Sequence, residues 1–175
     1  MRYESHDTER ESVITVAGLM LAAARTAPKG KGVDCIEAVI LDGEEKAELV
    51  QEMKRMAAET GVSSFDRDGT NIDNSVCIII MGVRNEYFGA SPCGNCGFKN
   101  CAEAAKTGAM CGFKNIDLGI ALGSAVSVAA LHHIDTRIMY TAGQAAKNLT
   151  LLSPDVAVYF GIPLSATGKS IYFDR

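Results

Sequence analysis

The pattern of apolar and polar positions along the chain predicts two long apolar helices and three strands. Residues 12–27 and 116–133 are apolar almost all round, as expected for helices buried on most sides. Residues 76–83 form a continuous apolar run, which is typical of a strand buried on both faces. The patterns of residues 33–41 and 155–162 predict two further strands.

The pattern also predicts two helices with a solvent-facing side. Residues 43–60 carry one apolar stripe with charged residues on the opposite face. Asp42 and Glu45 predict a capping box at the start of this helix, and Gly61 is its expected end. A shorter helix is predicted over residues 141–149.

The length of 175 residues and the absence of repeats or linkers predict one domain over residues 1–175. The polar stretch 63–75 and the tail 163–175 are assigned no helix or strand. Residues 84–115 contain four of the six cysteines, and we expect this cysteine segment to be a loop inserted into the domain.

Charge and composition exclude several kinds of partner. The net charge is −4, with 17 basic and 21 acidic residues spread along the chain. Because no Lys/Arg cluster could neutralise a row of phosphates, we expect no nucleic-acid partner. The polar residues 1–12 predict no secretory signal, and the longest apolar run, 13–24, is too short to span a bilayer. We therefore expect a cytoplasmic protein without a membrane partner, whose cysteines are ligands or core residues rather than disulfides.

The cysteine segment has the spacing of a metal site. The four candidate ligands are arranged as Cys93-x2-Cys96-x4-Cys101-x9-Cys111, with a glycine after each of the first two. Glycine lets backbone N–H groups point at sulfur, and four thiolates suit a 4Fe–4S cluster. Zinc is the alternative, because four cysteines also make a closed tetrahedral site. Zinc ribbons usually present two separated C-x2-C pairs, and the single pair here favours the cluster.

Four stretches resemble those of short prokaryotic proteins known only as uncharacterised ferredoxin-domain proteins, a family of unknown function. They are LMLAAARTAPKGKGVD, CGNCGFKNC, IDLGIALGSAV and GIPLSATGKSIYFDR. The CGNCGFKNC stretch is also similar to the cysteine motif of small iron–sulfur domains in corrinoid and acetyl-CoA pathway proteins. The resemblance implies an iron–sulfur protein.

The order of the predicted elements resembles, more distantly, the FMN-dependent nitroreductase fold. There a helix ends in an Ala-Pro turn, and a strand, an amphipathic helix and a long buried helix follow. The resemblance implies an α+β protein, an α/β/α sandwich with a mostly antiparallel central sheet, an intertwined homodimer, and FMN as a second cofactor. By position, the residues implied near the flavin are Arg25, Pro28, Lys29 and Lys31, with Lys169 reaching the pocket of a partner subunit.

Three functions are compatible with the sequence. The first is an electron-transfer protein or oxidoreductase with a 4Fe–4S cluster, passing electrons to FMN and to an unknown redox partner. The second is a structural zinc protein, in which the metal contributes folding energy. The third is a redox sensor, in which loss of the cluster changes a contact with a partner.

Cys35 and Cys77 lie in predicted strands, and we expect both to be core residues.

Overall fold

The computed structural model describes residues 1–173 of the chain. The helices are α1 (Ser5–Thr26), α2 (Gly43–Thr60), α3 (Ser63–Asp73), α4 (Cys101–Thr107), α5 (Gly112–Leu131) and α6 (Tyr140–Asn148). The strands are β1 (Ile36–Leu41), β2 (Cys77–Arg84), β3 (Asp135–Thr136) and β4 (Val156–Ser165). A short 3₁₀ turn, Gly30–Gly32, follows α1.

The strands form one antiparallel sheet in the order β1-β2-β4-β3. Strand β2 lies between β1 and β4, and its residue Ile80 pairs with Val39 on one side and Gly161 on the other. Its residues from Cys77 to Val83 are all buried. This confirms the strand buried on both faces that the apolar run predicted.

Helices cover both faces of the sheet. On one face α1 and α5 pack together over an apolar core that includes Met20, Ile79 and Leu122. On the other face α2, α3 and α6 pack over a second core that includes Leu49 and Ile78. The expected α/β/α sandwich with an antiparallel sheet and a long core helix is therefore confirmed.

Two local predictions were wrong, and one short strand was not predicted. The stretch assigned no element contains α3, whose buried Phe65 and Ile72 lie two helical turns apart among polar neighbours that masked the helical period. Asp42 does not cap α2 with its side chain; its carboxylate accepts a hydrogen bond from Arg10 at 2.7 Å. The two-residue strand β3 is too short to give a sequence pattern, and it forms because Asp135 pairs with Ser165.

Two long elements extend beyond the boundaries that the sequence predicted, because polar residues continue them. Helix α1 begins at Ser5, because its first two turns are exposed to solvent and need no apolar face. Strand β4 continues to Ser165 because Leu164 pairs with Cys77 of β2 and Ser165 pairs with Asp135 of β3. Within the described residues, α5 is the one helix long and apolar enough to cross a membrane by length and composition. Here it packs against α1 and the sheet.

Candidate cofactor site

The four candidate metal ligands lie on one loop, residues 85–111, which connects β2 to α5 and is called the cysteine loop below. Cys101 is the first residue of α4, and Cys111 is the N-cap residue of α5. Cys111 is buried, whereas Cys93, Cys96 and Cys101 are partly exposed. All six cysteines of the chain are free thiols.

Cys93 and Cys96 flank a tight turn. The backbone N–H of Gly97 donates to the carbonyl oxygen of Gly94 at 2.9 Å, and Gly97 has φ of +85°. A left-handed residue at this position favours glycine, which explains one of the two glycines in the motif. The C-x2-C pair therefore lies on a tight turn closed by a backbone hydrogen bond.

The two ends of the cysteine loop are held together by Asn85. Its Oδ1 accepts a hydrogen bond from the backbone N–H of Cys111 at 3.0 Å, and its Nδ2 donates to the carbonyl oxygen of Ala109 at 3.1 Å. The hydroxyl of Tyr87 donates to the same carbonyl at 3.0 Å. Sequence patterns did not single out either residue, although Asn85 directly follows the most buried strand.

Gly112 brings the last cysteine to the C-x2-C turn. A Cβ at Gly112 would lie 3.0 Å from the carbonyl oxygen of Asn95 and 3.4 Å from the backbone nitrogen of Cys96. The peptide after Cys111 therefore packs directly on the peptide before Cys96. Two of the four candidate ligands thus occupy neighbouring backbone positions.

The sulfur atoms themselves are not gathered around one point. In the part of the chain that the structure describes, no three Cys, His, Asp or Glu side chains form a group that could hold a metal ion. The donor set nevertheless fits the chemistry of a thiolate-bound metal, because four free cysteines lie on one loop. The packing of Gly112 on the Asn95–Cys96 peptide also brings the backbone of Cys111 close to that of Cys96.

The basic turn, residues 28–32, follows α1, and the implied flavin ligands Arg25, in the last turn of α1, and Lys29, in the basic turn, make internal contacts. Arg25 Nη1 donates to Asp34 Oδ2 at 2.5 Å and to the carbonyl oxygen of Ile36 at 3.0 Å. Burial raises the pKa of Asp34, but the hydrogen bonds from Arg25 and the Ile36 N–H outweigh it and lower that pKa overall. Lys29 Nζ donates to the carbonyl oxygens of Ala24 at 2.5 Å and Arg25 at 2.6 Å, closing the end of α1.

Lys31 connects the basic turn to the cysteine loop. Its Nζ donates to the carbonyl oxygens of Phe88 at 2.9 Å and Gly89 at 3.3 Å. The same ammonium lies 4.8 Å from the centre of the Phe88 ring. Pro28 and Lys31 are exposed on this surface. The two stretches that the sequence implied for two different cofactors are therefore in direct contact.

A buried lysine lies beneath this contact. Lys114 is 1% exposed, and its Nζ donates to the carbonyl oxygen of Val33 at 3.2 Å and to Asp117 Oδ2 at 3.4 Å. Asp117 Oδ1 accepts the backbone N–H of Gly30 at 2.9 Å. Burial lowers the pKa of Lys114, but the Cys35 thiol and the Asp117 carboxylate outweigh it and raise that pKa overall. The sequence contained a signal for this pair, because Lys114 and Asp117 are the two charged residues of α5 and lie three positions apart, where side chains of a helix can meet.

The other two cysteines are core residues, as expected. Cys77 and Cys35 are 0% and 1% exposed. Burial raises the pKa of the Cys77 thiol to about 12. Burial also raises the pKa of the Cys35 thiol, against the nearby Lys114 ammonium.

Lys169 lies at the far end of the sheet from the basic turn. In the pairing of β2 with β4, Leu164 lies opposite Cys77, whereas the cysteine loop begins after Arg84 at the other end of β2. The carbonyl oxygen of Lys169 accepts a hydrogen bond from the Thr167 hydroxyl at 2.7 Å. One protomer therefore does not bring Lys169 to the basic turn.

Comparison with known proteins identifies the family. The profile of a family described as "Uncharacterized protein containing a ferredoxin domain (DUF2148)" matches residues 107–175. An uncharacterised protein of Archaeoglobus fulgidus is 45% identical over 183 aligned positions, which cover 100% of this chain and 98% of that protein. The chain belongs to this family of uncharacterised ferredoxin-domain proteins. The matched range contains Cys111, while the other three candidate ligands precede it.

Solved structures share the fold of this ferredoxin-domain protein at low sequence identity. Nitroreductase A from Vibrio parahaemolyticus is 11% identical with a TM-score of 0.56, covering 89% of this chain and 60% of that one. A nitroreductase with bound FMN from Desulfitobacterium hafniense is 13% identical with a TM-score of 0.57, covering 89% of this chain and 78% of that one. The expected nitroreductase-like fold is therefore confirmed.

Proposed function

We propose that this protein is an iron–sulfur redox protein that holds a 4Fe–4S cluster through Cys93, Cys96, Cys101 and Cys111. The observation that carries the proposal is the packing of Gly112 on the Asn95–Cys96 peptide. In this ferredoxin-family chain the packing brings the backbone of Cys111 beside the C-x2-C turn, although nine residues separate Cys111 from Cys101. The family description, which names a ferredoxin domain, supports the same chemistry.

The cluster would supply one-electron chemistry, and the residues of the loop would tune it. Amide N–H groups near thiolate sulfur, and burial of the site, set the reduction potential of such clusters. Cys111 is 5% exposed, so one edge of the site is shielded from water, while the partly exposed Cys93 and Cys96 leave the other edge open. An open edge suits electron exchange with a redox partner.

FMN is proposed as the second cofactor, because the fold is shared with a nitroreductase that contains it. Arg25 and Lys31 would present positive charge to its phosphate, Pro28 would shape the turn, and Lys29 would hold the end of α1 in place. The buried Lys114–Asp117 pair fixes the turn from below through the N–H of Gly30. This arrangement suits an oxidoreductase in which electrons pass between cluster and flavin.

A homodimer completes the proposal. Ile116 and Ile120 of α5 are 49% and 41% exposed, which leaves an apolar stripe of the long helix uncovered in one protomer. Lys169 lies at the opposite end of the sheet from the basic turn, so it can reach such a turn only in a partner subunit. Both features suit two chains that exchange contacts across α5. We also propose that the dimer acts in the cytoplasm.

Anaerobic purification followed by metal analysis tests the proposal. We expect about four irons and matching sulfide per chain, with a broad visible band that bleaches on reduction with dithionite. Changing any of the four proposed ligands to serine should lower the iron content, whereas Cys77→Ala, in the core of β2, should not. A colourless protein with one zinc per chain would overturn the redox proposal and leave a structural metal site. Flavin bands in the same spectrum test the FMN proposal.

A further inference from the structure

The basic turn and the cysteine loop meet in a packed contact that neither proposed cofactor site requires by itself. The Phe88 and Phe113 rings stack with their centres 4.1 Å apart and their planes 21° apart. Phe88 belongs to the cysteine loop, and Phe113 lies two residues after Cys111 in the first turn of α5. The aromatic pair therefore links the part of the cysteine loop that precedes the cysteines to the first turn of α5, which follows Cys111.

Gly30 packs directly on this aromatic pair. A Cβ at Gly30 would lie 2.4 Å from the Phe88 ring, so the turn approaches as closely as a backbone without a side chain allows. Lys31 then reaches over the ring to the carbonyl oxygens of Phe88 and Gly89. The turn is thus in contact with Phe88 through both a backbone atom and a side chain.

The conformation of the turn depends on these contacts. Lys31 has φ of +55°, a left-handed conformation that is strained for a residue other than glycine. Two backbone hydrogen bonds close the turn, from Gly32 N–H to the carbonyl oxygen of Lys29 and from Val33 N–H to that of Gly30, and the Gly30 N–H donates to the Asp117 carboxylate. A strained turn with so few hydrogen bonds of its own relies on what packs against it.

We propose that metal binding by the cysteine loop fixes the conformation of the basic turn and thereby raises its affinity for the phosphate-bearing flavin. Lys31 and Phe88 are the positioning residues that transmit the effect. The coupling rests on the proposed function, because it requires metal at the cysteines and FMN at the turn. Binding couplings are reciprocal, so FMN should also retard loss of the metal.

The first measurement is hydrogen–deuterium exchange of the amides of residues 30–33. Protein purified anaerobically with its metal is compared with protein from which the metal has been removed with an oxidant and a chelator. We expect exchange at these amides to rise at least about fivefold on metal removal, within the usual range of coupling between sites. Unchanged exchange would overturn the coupling while leaving the metal site intact. A protein that holds no metal would instead overturn the proposed function.

The second measurement is the dissociation constant of FMN, from quenching of flavin fluorescence, in the same two forms. We expect removal of the metal to weaken binding by about 5- to 150-fold. Lys31→Met and Phe88→Leu should each reduce that ratio, because the first removes the hydrogen bonds from the turn to the loop and the second removes the ring that packs on Gly30. Lys54→Met, an exposed lysine on α2, is the matched control and should keep the ratio.

The ratio separates a positioning role of Lys31 from direct contact with the flavin. A lysine that only touched FMN would weaken binding equally with and without metal, so an unchanged ratio in Lys31→Met would overturn its role in the coupling. Absence of FMN binding in every form would overturn the flavin part of the coupling, while amide exchange still reports whether the metal orders the turn.

Discussion

The α-carbon of Gly112 faces the carbonyl oxygen of Asn95 so closely that an added Cβ would lie 3.0 Å from it. Neither group can move without shifting backbone, because the contact is between two peptide segments. Gly112→Ala should therefore introduce strain of about 1–3 kcal/mol and push Cys111 away from the C-x2-C turn. We expect less iron per chain in this variant after anaerobic purification.

The control for this substitution is Gly18→Ala in α1. A Cβ at Gly18 has no atom within 4 Å, so the change should stabilise the helix by about 0.5–1 kcal/mol and leave the iron content unchanged. Equal iron in Gly112→Ala and the unmodified protein would show that Cys111 does not depend on this contact.

The exposed apolar stripe of α5 predicts that a charge placed within it will change the oligomeric state. Ile120→Lys places a charge in the proposed dimer interface, where burial of an unpaired ammonium is unfavourable. We expect light scattering after size-exclusion chromatography to show a monomer at concentrations where the unmodified protein is a dimer. Val62→Lys, at a site 46% exposed before α3, should keep the dimer. A dimer that survives Ile120→Lys would place the interface elsewhere.

Glu37 predicts a dependence of stability on pH. Hydrogen bonds from Ser153 and Arg84 lower the pKa of its carboxyl below the ordinary value of 4.5. A lowered pKa in the folded state stabilises the protein above pH 4.5, and this stabilisation is lost as the pH falls through the folded pKa. Glu37→Gln should therefore be less stable than the unmodified protein at pH 7 and nearly equal to it near pH 2.

Urea unfolding between pH 2 and pH 7 measures this difference. Glu48→Gln, at an exposed site on α2, removes the same charge without removing these hydrogen bonds. A free-energy difference for Glu37→Gln that stays constant over the whole pH range would show that the carboxylate contributes through packing rather than through its charge.

Tyr172 predicts how the C-terminal segment is held. Its ring is 3% exposed, its hydroxyl lies 3.0 Å from the Ser75 hydroxyl, and burial raises its pKa to about 12. Tyr172→Phe keeps the ring but removes the hydrogen bond, so the free energy of unfolding should fall by about 0.5–1.5 kcal/mol. Tyr3→Phe, at an exposed site, is the control in thermal unfolding. An unchanged melting temperature for Tyr172→Phe would mean that the hydroxyl pair contributes nothing.

The sequence predicted those parts of the fold in which the hydrophobic pattern is strong. The continuous apolar run of β2 predicts burial on both faces, and the apolar stripe of α2 predicts burial on one side. Both elements lie where the pattern predicted. Helix α3 was missed because two buried residues, Phe65 and Ile72, carry its apolar face among polar ones. Its buried Asp68 is stabilised by the Thr141 hydroxyl at 2.6 Å, a contact between residues 73 positions apart that no local pattern reveals.

The sequence suggests the four cysteine ligands, which stay a prediction, but it does not suggest the residues that support them. The spacing of four cysteines suggests a metal because few other roles need thiols so close together. Lys31 illustrates this difference: its place near a flavin stays a prediction, whereas the hydrogen bonds from its ammonium to the carbonyl oxygens of Phe88 and Gly89 were not predicted. That contact depends on how the turn and the loop meet in space.

The hydrogen bond between Asn85 and Cys111 has a consequence for how such a chain could have arisen. The loop leaves the sheet and rejoins the helical layer at nearly the same point, so its length is independent of the spacing between β2 and α5. An ancestral gene could gain or lose the whole segment in one step without shifting the register of any strand. Replacing residues 86–110 with a few glycines should, on this reasoning, leave a folded protein that lacks its metal chemistry and the support of Phe88 for the basic turn.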